Sequence, residues 1–356
     1  MNLLPLFAHS ARLAGSLPVA GFLAGPTAVG KLGPELYVKR DDLSAADYGG
    51  NKVRKLDFLL ADARARGVRE LLGFGYAGSN FIAATAWHGR KLGLHTIGYR
   101  LPQAPASYVA DNLSVALHSG AELRLLGSTG AIARAAVLRS AASLLRRGRL
   151  PAWIPPGGSS PLGVMGFVNA AFELRAQIEA GLTPAPALIY VAFSSMGTVA
   201  GLALGAELAG LKARIVAAQV VDARFAGAEK LRGLLDQTDR FLRRRDPALG
   251  GKSAQALQRI QIRTEFFGEA YARPTAATRA AMQRFSRDSG ARADSAYTGK
   301  ALACLYHDLD SGLLRGKTAL YWHSFNAHGL PPGVRRPQAH EVAPGLREYF
   351  ASAGGP

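Results

Sequence analysis

The chain has 356 residues, 48% of them hydrophobic and 19% charged, with a formal net charge of +18. That length and apolar content allow a large buried core in one unit or two associated ones, and exclude an intrinsically disordered chain. Cys304 is the single cysteine, which excludes an intramolecular disulfide, and no uninterrupted apolar run reaches the roughly 18 residues of a membrane span.

In chain order, "LAGSLPVAGFLAGPTA" (13–28) has a faint signal-peptide look, but Pro18 and several glycines interrupt it and only Arg12 precedes it. It reads as mature chain, and a cytoplasmic location is expected. Strands are predicted over 35–39, 70–75, 95–100, 123–126, 187–193, 214–221 and 318–324. Helices are predicted over 52–67, 79–93, 161–180, 198–210, 274–289 and 298–312. Strands alternating with helices indicate an α/β fold with largely parallel sheets. The stretch 223–270 is polar and basic, and "RRRDPALGGKS" within it reads as an exposed connection. "IPPGGSSPLG" (154–163) reads as a passage between domains.

The basic residues are mostly arginine and scattered, with runs only at 146–149 and 243–245. No zinc-ligand spacing or RNA-binding aromatic signature accompanies them, so neither a metal nor a nucleic-acid partner is expected. The charge reads as a solvated basic surface that attracts small anions. Cys304, in the apolar helical pattern "GKALACLYHDL", reads as buried filler rather than a nucleophile.

Three strand–loop–helix units carry candidate chemistry. In "DYGGNKVRKLDFLL" (47–60), Lys52 falls in the first turn of an amphipathic helix, with Asn51 as N-cap. Gly49 and Gly50 bend the backbone and leave space beside the lysine. The positive helix end, Arg54, Lys55 and desolvation all disfavour the ammonium, as a Schiff-base lysine requires. The plain alternative is a turn before a solvated basic helix.

In "LLGFGYAGSNFIAATAWHG", Gly73, Gly75 and Gly78 satisfy G-x-G-x-x-G between a strand and a helix. The next strand ends in Tyr99 and Arg100 rather than in an acidic residue, which disfavours NAD and leaves NADP open. Alternatively, Ser79 and Asn80 open a helix whose N–H groups face a small carboxylate, or the glycines only make a capped turn. In "ALIYVAFSSMGTVAGLALG" (187–205), Ser194, Ser195, Met196, Gly197 and Thr198 lead from a buried strand into a helix. Such a start suits a phosphate monoester, and the missing Gly-Lys-Ser/Thr excludes a nucleoside-triphosphate loop. A plain capped helix is the alternative here. Together a reactive lysine, a carboxylate site and a phosphate cradle describe pyridoxal phosphate with an amino-acid substrate.

At "YVKRDDL…GGNKVRKL", "IPPGGSSPLG" and "AYTGKA" the chain resembles the fold-type II pyridoxal-phosphate enzymes, specifically the D-cysteine desulfhydrase / aminocyclopropane-carboxylate deaminase family. The resemblance runs from about residue 35 to 328, and 223–256 matches poorly. It implies a tryptophan synthase β-like fold of two parallel-sheet α/β domains. The large one is expected over 1–52 and 163–356 and the small inserted one over 53–162, with the cofactor between them. It places the Schiff base on Lys52, phosphate contacts on Lys55 and the loop Ser194–Thr198, and the substrate carboxylate on Ser79. Asn80 would meet the cofactor's ring oxygen. Tyr271 and Tyr297 would be active-site tyrosines, with Tyr297 assisting proton transfer.

Members that open the cyclopropane ring carry glutamate where this chain has Thr298; desulfhydrase-like members place a hydroxyl where it has Ser324. A neutral hydroxyl at the pyridine nitrogen suits α,β-elimination. Phe81, Met196 and the pair Phe325-Asn326 depart from the family pattern and put the substrate in doubt; His323 and His328 read as structural. The expectation is therefore a pyridoxal-phosphate lyase that takes a small amino acid to a keto acid and ammonia, as a homodimer. Cyclopropane deamination and β-replacement stay open within the class, and an NADP-dependent oxidoreductase or a non-catalytic binder outside it.

Overall fold

The computed structural model describes residues 4–326 and 328–351. Its ten strands among the described residues are β1 (Val29–Lys31), β2 (Leu36–Lys39), β3 (Glu70–Tyr76), β4 (His95–Leu101), β5 (Glu122–Leu125), β6 (Ala152–Ile154), β7 (Leu188–Phe193), β8 (Arg214–Gln219), β9 (Ile260–Arg263) and β10 (Ala319–Trp322). They form two sheets, in the orders β1-β2-β10-β7-β8-β9 and β5-β4-β3-β6. All pairings are parallel except β1 with β2, at one edge of the larger sheet.

Contacts divide the chain into two compact units, Met1–Phe58 with Ser159–Ala327, and Leu59–Gly158 with His328–Pro356. The internal break falls inside the Pro/Gly-dense stretch. The division differs from the expected one at the C-terminal end, which packs on the smaller unit: Val342, Leu346 and Tyr349 join Ala77, Val109 and Leu113 in one cluster, and Arg336 pairs with Asp111.

In the larger unit, helices cover both faces of the sheet. Ile189, Val191, Leu320 and Trp322 point to one side, against Phe58, Phe167 and Leu202; Tyr190, Val38 and Tyr321 point to the other, against Leu302 and Leu305. This is the period-two alternation of strands, and burial on both sides explains why "ALIYVAF" reads as continuously apolar. The helices Pro161–Glu179 and Gly197–Leu208 approach closely because three glycines remove the side chains between them and their neighbours. A Cβ on Gly201 would lie 2.4 Å from that of Phe167, one on Gly205 2.7 Å from that of Ala171, and one on Gly166 2.0 Å from the carbonyl oxygen of Arg54.

Beneath the helix Lys52–Ala65 lies a buried charge network. Arg54 donates to Asp41 and Glu173, and Lys39 to Glu173, to Gln177 and to the carbonyl of Thr27. Trp322 Nε1 donates to Asp41 at 2.6 Å. Burial alone would raise Glu173, but Arg54 and Lys39 outweigh it and hold the carboxyl down to about 2. Burial drags Lys39 below the usual lysine range in spite of Glu173, so Arg54 is the dominant partner of that carboxylate.

The polar stretch 223–270, which carried no helix in the sequence reading, contains one. A helix spans Ala228–Arg245, with Leu231, Leu234, Leu235 and Leu242 buried on one face. Asp239 then accepts from the backbone N–H groups of Gly251 and Lys252, and Leu249 is buried.

Candidate active site

The segments that follow the carboxyl ends of β2, β7, β9 and β10 carry most of the predicted residues of the larger unit, where open α/β sheets commonly bind ligands, while Tyr297 and Thr298 follow the helix Ala276–Ser289. After β2 the chain makes a 3-10 turn, Asp41–Leu43, then Gly49-Gly50-Asn51 and the helix that opens at Lys52. The glycines are required, and Gly50 bends the backbone there as expected. A Cβ on Gly49 would lie 2.4 Å from the carbonyl oxygen of Asp42, and Gly50 has φ +93 with the backbone of Phe325 at 3.3 Å. The room they clear is filled by protein backbone rather than left open beside the lysine. Asn326, one of the departures from the family pattern, accepts the N–H of Gly49 at 3.0 Å. Asn51 makes no capping bond among the described residues; its amide nitrogen donates to Thr198 Oγ1 at 3.1 Å and its N–H to the carbonyl of Ser324 at 3.1 Å.

Lys52 is partly buried and has no hydrogen-bond partner among the described residues. Burial lowers its amine to about 8, with Asp294 pulling the other way. One turn on, burial and then the Lys52 charge push Lys55 well below the usual lysine range. Its Nζ donates to Ser159 Oγ at 3.4 Å. Ser159 donates to Ser195 Oγ at 2.9 Å and accepts the N–H of Gly197 at 3.2 Å. A Cβ on Gly197 would meet Lys55 Nζ at 2.7 Å and Ser159 Oγ at 2.6 Å, so only glycine lets these donors converge. Met196 enters the helix Gly197–Leu208 with φ +68, a conformation that side chains with a Cβ rarely adopt.

The Lys55 amine, two hydroxyls and a helix-start N–H thus converge, a donor set that suits a phosphate monoester. At the end of β10, Ser324 is buried beside the same loop, its carbonyl accepting the N–H of Asn51. These features fit pyridoxal phosphate.

Asp294 organises the remaining part. Its carboxylate accepts the N–H groups of Tyr297 at 2.8 Å and Thr298 at 3.0 Å and the hydroxyl of Thr298. The Tyr297 and Tyr271 hydroxyls are hydrogen-bonded to each other, with the rings 5.9 Å apart and edge-on. His323 is buried between the carbonyl of Arg292 and the hydroxyl of Tyr321. Cys304 is fully buried, and burial pushes its thiol up to about 12, so it is no nucleophile.

In the smaller unit, Ser79 caps the helix Asn80–Lys91 and accepts the N–H of Ile82 at 3.4 Å. Gln103 accepts the N–H of Gly78 at 2.8 Å and Asn112 donates to its carbonyl at 3.0 Å, fixing the turn before Ser79. Phe81 is buried, and a Cβ on Gly158 would lie 2.9 Å from its ring. Arg100 is fully buried and donates to the carbonyl of Ala77. It therefore presents no charge to a ribose phosphate, and the NADP reading loses its support.

A profile of the pyridoxal-phosphate-dependent enzymes matches residues 23–324. The chain belongs to this family. It is 33% identical to D-cysteine desulfhydrases of Salmonella paratyphi B and Salmonella newport over 284 residues, 77% of this chain and 81% of theirs. Among solved structures it resembles an ACC deaminase homologue, with TM-score 0.72 and 27% identity over 93% of this chain and 97% of the other. It also shares the fold of threonine deaminase isoform 2 from Solanum lycopersicum, with TM-score 0.61 and 14% identity over 98% and 94% of the two chains. The fold is thus fold type II, the cofactor pyridoxal phosphate, and the enzyme a lyase or deaminase of amino acids. No helix among the described residues is long and apolar enough to cross a membrane.

The sequence reading missed Ser159 and Asp294. Ser159 lay within the quoted "IPPGGSSPLG", whose two serines after a glycine pair mark a polar loop as much as a domain passage. Asp294 stands three and four residues before Tyr297 and Thr298, the spacing of a side chain that caps a helix start.

Proposed function

We propose that the enzyme eliminates a β-substituent from a small amino acid of the cysteine type, giving a keto acid and ammonia, with Lys52 as its central base. The observation that carries this is the amine of Lys52, lowered to about 8 and set one turn from the anion cradle. At neutral to mildly alkaline pH part of it is unprotonated and able to react. Lys55, Ser159, Ser195 and the Gly197 N–H hold the phosphate, and Asn51 steadies the loop through Thr198. Bound pyridoxal phosphate supplies the electron sink for the pair left when the Cα proton departs. Lys52 Nζ takes that proton. Tyr297, held by Asp294 and by the Tyr271 hydroxyl, moves protons near the leaving group. Ser79 Oγ and the N–H groups of its helix start hold the substrate carboxylate, Asn80 meets the cofactor ring oxygen, and Phe81 bounds the substrate.

Elimination rather than ring opening is supported by the hydroxyls at the two discriminating positions. The Thr298 hydroxyl donates its hydrogen bond to Asp294, which leaves Ser324 as the neutral hydroxyl for the pyridine nitrogen. The released enamine hydrolyses to the keto acid and ammonia. A homodimer in the cytoplasm belongs to the same reading; its supports are the family resemblance and the chain's lone cysteine.

The test incubates cofactor-loaded enzyme with D-cysteine, β-chloro-D-alanine, their L-isomers and aminocyclopropane carboxylate, and measures pyruvate and ketobutyrate. Pyruvate from a β-substituted substrate, and a visible band that borohydride bleaches with the label on Lys52, is the expected result. Ketobutyrate alone, or label on another lysine, overturns it.

A further inference from the structure

Lys300 is the third residue of the helix Thr298–Asp310 and is fully buried. Its ammonium meets no carboxylate at hydrogen-bond distance; it donates to two neutral backbone carbonyls, those of Phe267 and Ala270, the latter at 3.1 Å. Both lie in the segment 264–275, which joins β9 to the helix Ala276–Ser289 and leaves Gly268, Glu269 and Ala270 exposed. Tyr271 follows at once, and Ala272 after it has φ +60. That left-handed turn strains a residue with a Cβ, so something must hold the segment in place. The tyrosine it delivers ends on the hydroxyl of Tyr297.

We propose that Lys300 is the positioning residue for Tyr271, tying an exposed loop to the helix start that also presents Tyr297. Asp294 fixes Tyr297 from one side of this helix start and Lys300 fixes Tyr271 from within its first turn, so both hydroxyls are referred to one rigid element. A purely structural role fits poorly. Burying an ammonium against uncharged carbonyls is costly, and an apolar side chain would fill the same space at less expense. Burial accordingly lowers the amine to about 8, with Asp294 opposing. What the lysine yields in return is the place of a loop. The inference rests on the proposed role of the tyrosine pair in proton transfer.

The test compares Lys300→Met, Lys300→Gln and Lys300→Arg in the wild-type and Tyr271→Phe backgrounds. It reads kcat, KM, and the rate at which a glutamate-specific protease cuts after Glu269. Lys300→Met is expected to raise cleavage about tenfold and to lower kcat by about 10–100-fold with little change in KM. In the Tyr271→Phe background the further loss of kcat falls to about threefold or less, because the two residues act as one unit. Lys300→Arg, which restores donors to both carbonyls, recovers most of both readouts, and Lys300→Gln lies between. Equal losses in the two backgrounds, or cleavage that does not change, overturns the proposal. If no substrate turns over, the functional reading fails separately, and cleavage with its recovery by arginine still decides the tether.

Discussion

Replacing Gly166 by alanine should separate two helices and weaken the cofactor site, although it adds one methyl group to the interior of a helix. In an exposed helix the change would stabilise by up to about 1 kcal/mol, through alanine's better propensity. Here the new Cβ would stand 2.0 Å from Arg54 O, 2.4 Å from Arg54 C and 2.9 Å from Lys55 N. All three are backbone atoms, which no rotamer change can move aside. Restoring an ordinary contact requires the helices to part by about 1 Å or more, and overpacking of this kind costs about 1–3 kcal/mol. Backbone meeting backbone belongs at the upper end, so the expected net loss is about 2 kcal/mol. The displaced segment carries Lys52 and Lys55, so the affinity for pyridoxal phosphate should fall as well. Gly233 is the matched control: it lies within the helix Ala228–Arg245, and an added Cβ meets nothing within 4 Å. Urea titration of the two variants, with cofactor uptake followed by visible absorbance, provides the comparison. Gly166→Ala as stable as Gly233→Ala, with unchanged uptake, would refute the packing argument.

Met196→Gly should stabilise the protein by about 0.5–1 kcal/mol, because relief of the left-handed penalty exceeds the entropy glycine adds to the unfolded chain; a destabilised variant in urea would count against it. The Glu173 carboxyl has a folded pKa of about 2 against an ordinary 4.5. It therefore contributes stability that is complete above about pH 4.5 and is lost as the pH falls toward 2, worth about 3 kcal/mol in all. Glu173→Gln should be less stable at pH 7 and show a flatter decline between pH 5 and 3, and parallel declines in urea titrations at those pH values would contradict it.

The strands and helices around the site were legible because both signals, apolar runs and capped turns, are local. Lys52, Lys55 and the Ser194–Thr198 loop sit where the residues placed them. Among the helices that escaped, two did so for opposite reasons. On Thr129–Arg147, Leu138 and Leu145 are 71% and 87% exposed, so apolar residues on the outer face blur the helical period. On Ala228–Arg245 the buried leucines are regular, but the polar and basic residues between them, with three arginines in the last turn, hid the helical stripe. The part of the site that stayed hidden depends on distant partners. Nothing near Ser159 in sequence points to Lys55, 104 positions away, and the glycines at 49 and 50 could not show that the backbone of Asp42 and Phe325 would occupy the space beside them.

The buried network of Lys39, Asp41, Arg54 and Glu173 also sets a timetable for synthesis. Its first three members leave the ribosome long before the fourth, and the whole stretch 59–158 emerges between them. Until Glu173 arrives, Arg54 has only Asp41 and Lys39 lacks its carboxylate partner, so the core beneath the Lys52 helix cannot close around balanced charge. The stretch that comes between has most of its own sheet and core available earlier. Yet its cluster with Tyr349 must wait for a residue made long after the stretch itself. The nascent chain therefore holds its cofactor lysines above an unfinished network until Glu173 has been made.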